Sequence, residues 1–160
     1  MAQFFPTARD ATLREHPWNF AVKRVSIAAS ATAPDWEFVR AYPMPNDLIR
    51  ILEVDGEDVA VNRWRVEGGS IVTDIVSPLK IRYIARIEDA ESWDPLFVEA
   101  MAAKLGALVA EKITGLDNIV QIQNALFAQK IQTARSMDGF EQTPFNTDDT
   151  NDYSWLFVRF

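Results

Sequence analysis

The chain has a single histidine, no cysteine and 23 acidic residues, and these counts bound its chemistry. His16 abuts Pro17, so nucleophile–histidine–acid catalysis would have to route through that one ring, and no serine sits in a Gly-x-Ser-x-Gly elbow. A zinc site would need carboxylates almost alone, whereas zinc is held mainly by nitrogen and sulfur. Gly68-Gly69 lacks the Gly-Lys-Ser/Thr that completes a phosphate loop. A glycosidase needs only two carboxylates. The acid count leaves such a pair open without locating it, and Trp36 or Trp64 would then serve as aromatic platforms for a cell-wall sugar. Asp148, Asp149 and Asp152 could ligate calcium, but they lack the spacing and closing glutamate of an EF-hand loop, and a solvated acidic linker is the simpler reading. No catalytic residue, metal ligand or cofactor is therefore expected.

The elements that would position any site pivot on His16-Pro17-Trp18-Asn19-Phe20. Upstream, Phe5, Ala8, Thr12 and Leu13 recur at helical spacing, which predicts a short helix over 4–16. Pro17 pushes His16 out of the helical region and should close it. Downstream, residues 20–28 alternate as a strand does, and Trp18 and Phe20 carry large apolar surfaces to bury where helix and sheet meet. Further strands are predicted where Trp36, Phe38, Arg40 and Tyr42 alternate, over 48–54, across 59–64, and over 71–75 and 81–87. Asp55-Gly56 and Gly68-Gly69 mark turns between them. In the last strand Ile81, Tyr83, Ala85 and Ile87 face one side and Arg82, Ile84 and Arg86 the other.

Asp94-Pro95 opens a long helix, with Asp as the cap and Pro where its missing N–H costs nothing. Its predicted apolar stripe is Phe97, Ala100, Met101, Leu105, Leu108, Val109 and Ile113, interrupted by Gly106. Gly115 should end it, and Asp117 should cap a second helix carrying Ile119, Ile122, Leu126, Phe127, Ile131 and Ala134, ended by Gly139. The short link predicts an antiparallel pair. The fold class is α+β: a small antiparallel sheet or partial barrel inserted between a short N-terminal helix and a C-terminal pair of long helices. Residues 1–140 form one domain, with a helical part at 1–16 and 94–138 and a β part at 20–87, and residues 141–160 form an extended tail.

Composition agrees. Apolar residues make up 48% of the 160, enough for a core, and 24% charged residues with five tryptophans argue against disorder. No apolar run is long enough for a membrane span, residues 1–15 lack a signal-peptide pattern, and the absence of cysteine fits an intracellular product. The net charge of -7 weakens a nucleic-acid reading, since phosphate binding rests on Lys and Arg. Arg40, Arg50, Arg63, Arg65, Lys80, Arg82 and Arg86 do fall in the strand-rich half, as a local basic face or as ordinary solvated strand faces.

Ala8-Arg9-Asp10 followed by Leu13-Arg14-Glu15-His16-Pro17-Trp18-Asn19-Phe20-Ala21 resembles the signature of the phage tail tubular protein A family, the head-to-tail adaptor (connector) proteins of short-tailed phages and their prophage relatives. Trp36 to Pro45 with Asp47-Leu48-Ile49-Arg50, Ile81 to Glu88, Trp93-Asp94-Pro95-Leu96-Phe97 with its helix, and Ser154-Trp155-Leu156 are similar to the same family, in the same order over nearly the whole chain. The resemblance implies a structural virion protein of the tail or neck, made in the host cytoplasm. It would form a homo-oligomeric ring, dodecameric in relatives, between the portal protein and the tail nozzle protein. DNA would pass through without sequence-specific binding, and like charge would keep the duplex off the wall. The resemblance also implies a helical turn around Asp47 to Arg50, and more helix upstream of the matched segment than the few residues that precede it here.

After Arg135 the chain has no Lys or Arg until Arg159, and it finishes with Tyr153, Trp155, Leu156, Phe157 and Phe160. An acidic linker followed by an apolar anchor must dock on its own subunit, as an edge strand, or on a ring neighbour or the portal, and the linker's length favours another chain. The alternatives to the adaptor reading are a cell-wall glycan hydrolase and a non-viral α+β binding module. Gene neighbours would separate the last of these at once.

Overall fold

Pro17 does break the first helix. In a computed structural model, which describes residues 4–58, 63–114 and 117–141, helix α1 spans Phe5–Glu15, and His16 is fully extended at φ -138 and ψ 149. A single 3-10 turn over Asn19–Ala21 then feeds strand β1, Val22–Ile27. The remaining strands are β2 (Arg40–Pro43), β3 (Leu48–Val54), β4 (Glu57–Asp58), β5 (Trp64–Glu67), β6 (Ser70–Thr73) and β7 (Leu79–Ala85). Helices α2 (Pro95–Thr114) and α3 (Asp117–Phe140) complete the described chain. The fold is the expected α+β arrangement.

The β part is two antiparallel sheets rather than one. The larger has the order β1-β7-β3-β4 and the smaller β2-β6-β5. They stack face to face, because β7 alternates strictly: Leu79, Ile81, Tyr83 and Ala85 point to the smaller sheet and meet Tyr42 and Ile71, while Ile84 points to the helices. β3 also serves both layers, and its two register shifts break the period of two, so that Ile51 and Val54 lie between the sheets and Ile49 and Leu52 under the helices. The hairpin turns need positive φ at both central residues, which Asp55 (56°) with Gly56 (83°) and Gly68 (55°) with Gly69 (81°) supply.

The helical layer is centred on Trp18, which is fully buried and surrounded by Leu13, Ile84, Phe97 and Met101. Trp18 and Phe97 meet edge to face with centroids 5.0 Å apart, and Trp93 meets Phe97 in the same way at 5.2 Å. Phe20 is half-buried at the margin of this cluster, 5.1 Å from the Phe97 ring. The Asp94 carboxylate accepts from the N–H groups of Leu96 and Phe97, which is the N-cap its position predicts.

Several expectations need correction. The alternation over 36–42 does not make a strand of that length. Glu37 adopts φ 69°, Trp36 turns out to 77% exposure, Phe38 is buried with the Arg63 guanidinium 4.7 Å from its ring centroid, and pairing begins only at Arg40. Residues 48–50 are strand, not a helical turn, because β3 is held by β7 from Leu48 onward. Gly139 lies inside α3, which continues to Phe140. Ile113, Ile122 and Leu126 face outward, with Ile113 at 77% exposure and Ile122 at 63%. In α3 the inner stripe is Phe127, Ile131, Ala134 and Asp138, centred about 130° around the helix from Ile122 and Leu126. Residues 59–62 of the strand expected over 59–64, Gly115 as a helix end, and residues 142–160 of the expected tail lie outside the described residues.

Candidate functional site

The Pro17 hinge is fastened by one carboxylate that its place in the sequence hides. Asp138 lies three turns beyond Phe127 on the inner stripe of α3 and is 8% exposed. One oxygen lies 3.0 Å from His16 Nε2, and the other accepts from the Asn19 N–H at 2.9 Å. The Asn19 side-chain amide donates back to the Asp138 carbonyl at 2.8 Å. Each link spans about 120 residues of chain, so the end of α3 is locked to the junction of α1 and β1. Trp18 Nε1 donates to the Thr12 carbonyl at 3.1 Å, and Lys104 of α2 donates to Thr12 Oγ1 at 2.9 Å. Glu15 pairs with Arg135 of α3 and, at 3.6 Å, with Lys104.

A second network ties α1 to the sheet. Asp10 accepts from Arg9 Nε at 2.8 Å and from Arg86 Nε at 2.9 Å. Arg14 donates to the Ile49 carbonyl, and Arg50 returns a bond to the Arg14 carbonyl. Asp47 accepts from Lys23 at 2.7 Å and from the Tyr83 hydroxyl at 3.0 Å. Burial opposes the Asp47 carboxylate, but those two donors outweigh it and hold its pKa below the ordinary value. Burial first, and the Asp47 bond second, push the Tyr83 phenol up to about 12. These groups position elements, and none faces an open cleft with a partner suited to proton transfer on a substrate.

The main grooves among the described residues do not gather a carboxylate pair. One, of about 370 Å³, has Glu53 as its only acid, and another, of about 360 Å³ beside Trp64, has none. Trp36 stands apart on its loop, where Glu37 is engaged by Arg63 at 3.2 Å and Arg65 at 2.9 Å. Among the described residues no three His, Asp or Glu side chains cluster to hold a metal ion, and no helix is long and apolar enough to cross a membrane.

The basic residues of the strand-rich half divide into two sets. Arg63, Arg65, Arg82 and Arg86 have carboxylate partners, and Arg40 and Arg50 donate to backbone carbonyls. Lys80 is exposed beside Arg24, a residue outside the expected basic set.

The outer face of α3 is the other extended surface. Ile122, Leu126, Gln129, Thr133, Met137 and Phe140 are spaced by four, three, four, four and three residues, which keeps them within about 80° of one another around the helix. All six are exposed, Ile122 at 63%, Met137 at 52% and Phe140 at 82%. Of the residues singled out from sequence, Pro17, Trp18 and Phe20 thus come together at the α1–β1 junction, while Tyr153, Trp155, Leu156, Phe157 and Phe160 lie outside the described residues. Asp138 was missed, although an acid in phase with Ile131 and Ala134 was the signal. No protein-family model matches the chain, and no curated protein matches it in sequence.

Proposed function

We propose that this chain is a structural subunit of a phage-type head-to-tail adaptor ring, joining a portal to a tail nozzle around a DNA conduit. It works by shape and contact rather than turnover. The observation that carries the reading is the outward stripe of α3, from Ile122 to Phe140. Its near-heptad spacing is that of a helix packed along another helix, and its own hairpin partner α2 already packs on the neighbouring, inner stripe. A ring built from side-by-side helical parts needs such a second face on each subunit.

Two further features support it. The segments that resemble the adaptor family include His16 to Ala21 and Trp93 to Phe97, and these residues form the junction that fixes the helices against the sheets. The net charge of -7 suits a channel wall that must not hold DNA. The described grooves, with at most one carboxylate each, give the glycan-hydrolase alternative no supporting observation.

The test is electron cryo-microscopy of particles assembled with a labelled copy of this chain. A ring of label at the neck between head and tail is expected. Complete particles that lack the label altogether would sink the adaptor reading.

A further inference from the structure

The helical layer covers only part of the larger sheet. On the helix-facing side of β1 and β7, Val22 and Ile84 are roofed over, but the next residues on that same face are Arg24, Ser26, Arg82 and Lys80. Register places Arg24 directly across from Arg82 and Ser26 across from Lys80. Like charges directly opposite each other on adjacent strands repel. Glu53 of β3 pairs with Arg82, yet Arg82 Nε remains buried without a hydrogen-bond partner, and Arg24 and Lys80 face solvent. Together these residues line the groove of about 370 Å³. Val25 and Ile81 line it together with the long cations, whose aliphatic stems add apolar sides beneath charged tips.

The sequence contains a segment of matching chemistry. Asp148, Asp149 and Asp152 run directly into Tyr153, Trp155, Leu156 and Phe157, with no Lys or Arg between Arg135 and Arg159. Carboxylates suit the cationic tips, and aromatic rings suit both guanidinium faces and aliphatic walls. A nucleic acid suits the groove less well: it meets only three cations, a carboxylate among them, on a chain of net charge -7.

Reach decides which copy supplies the segment. Asp138 holds the end of α3 against Asn19, at the head of β1. From Asn19 to Arg24 the chain makes one 3-10 turn and two strand residues, roughly 12 Å. Residues 142–148 span about 23–25 Å when extended, which covers that distance together with the Asp138 side chain and the last helical turn. Linker length alone points to another chain, but the Asp138 tether makes the linker about as long as the path to its own groove. A tethered segment also outcompetes one from a second molecule through its effective concentration.

We propose that the acidic–aromatic segment 148–157 docks in cis into the groove lined by Arg24, Lys80 and Arg82. Docking relieves the Arg24–Arg82 repulsion and seats the aromatic rings of the segment against the aliphatic stems of the groove.

Hydrogen exchange of the full chain, followed by mass spectrometry at low micromolar concentration, tests this. Amides of 153–157 should exchange at least tenfold more slowly in the parent than in Arg24→Glu/Lys80→Glu, and adding Asp148→Lys/Asp149→Lys to that variant should restore protection. Because the groove variant alters the sheet, Asp148→Asn/Asp149→Asn/Asp152→Asn provides a second route and should also release the segment at least tenfold. Unprotected 153–157 amides in the parent, or protection indifferent to both variants, would overturn the proposal. So would protection that grows with protein concentration, which would place the segment on a second copy. A short DNA duplex that binds the parent at physiological salt and is lost with Arg24→Glu/Lys80→Glu would make the groove a nucleic-acid site instead.

Discussion

His16 Nε2 and Asp138 Oδ2 lie 3.0 Å apart across 122 residues of chain, and this contact joins the first helix to the last. The Asp138 carboxylate also accepts from the Asn19 N–H, so it satisfies both sides of the proline hinge while being only 8% exposed. Asp138→Ala would remove the carboxylate that the half-buried Asn19 N–H and His16 ring share. Losing bonds to a buried charged acceptor should cost about 2–4 kcal/mol. Asp138→Asn keeps one acceptor oxygen and should cost less. Urea denaturation of both variants checks the order, and equal midpoints for Asp138→Ala and the parent would contradict it.

Trp18 fills the centre of the helical layer and gives its indole N–H to the Thr12 carbonyl. Trp18→Ala should therefore lose about 3–5 kcal/mol. Trp18→Phe keeps an aromatic edge for Phe97 but loses the indole bond to the Thr12 carbonyl, and should fall between Trp18→Ala and the parent. Thermal unfolding by calorimetry resolves the three.

Asp47 and Tyr83 bracket the pH range of the larger sheet. Asp47 has a lowered pKa, so the unfolded chain takes up its proton more readily than the folded one. Its contribution is present above the unfolded value of about 3.9 and is lost as pH falls through the folded value. Tyr83 has the opposite sign. With its pKa raised to about 12, its contribution is full below the unfolded value of about 10 and is lost as pH rises from there through the folded value. Tyr83→Phe should therefore lose less stability than the parent over that alkaline range, and Asp47→Asn should lose less in acid. Unfolding midpoints measured across both ranges check the two signs separately.

Gly106 marks where α2 comes close to α3. A Cβ there would stand 3.0 Å from Gln123 Oε1. The crowded atom is the tip of a flexible side chain that can swing aside, while alanine is favoured over glycine inside a helix by about 1 kcal/mol. Gly106→Ala should thus be stabilising by about 0.5 kcal/mol, whereas Gly106→Leu should force the helices apart and cost about 1–3 kcal/mol. Chemical denaturation of the pair reads both signs.

The backbone plan was legible wherever a single residue type has a strong local effect. Pro17 ended α1, Asp94-Pro95 started α2, and Gly68-Gly69 closed a hairpin, since each acts within a few residues. Alternation misled at 36–39 because Phe38 is buried by a loop folding under Arg63, which imitates a strand's apolar period without its ladder. The division of the strands into two sheets was not legible either. It depends on which strands pair, and the register shifts in β3 change which of its side chains face each layer. Asp138 was obscured because it begins an acidic stretch, and only its helical phase with Ile131 and Ala134 places it inside. The exposed stripe of α3 was merged with the inner one because Leu126 and Phe127 are adjacent in sequence yet about 100° apart on the helix.

That separation of faces gives the last prediction. Ile122 and Met137 are exposed, so Ile122→Glu/Met137→Glu removes little buried apolar area from the lone chain and should shift its stability by no more than about 0.5 kcal/mol per site. Ile131, on the inner stripe, is 6% exposed, and Ile131→Glu should cost several kcal/mol by burying a charge without a partner. In a ring whose subunits pack through the outer stripe, the first variant places two carboxylates at each helix–helix contact and should abolish assembly while the fold persists. The measurement pairs calorimetry of the isolated chain with light scattering of the chain mixed with a portal ring of the kind the proposed function calls for. Assembly of Ile122→Glu/Met137→Glu at the parental level would show that α3 does not pack against a neighbour. Loss of assembly with an unchanged melting temperature is the outcome that the outward stripe requires.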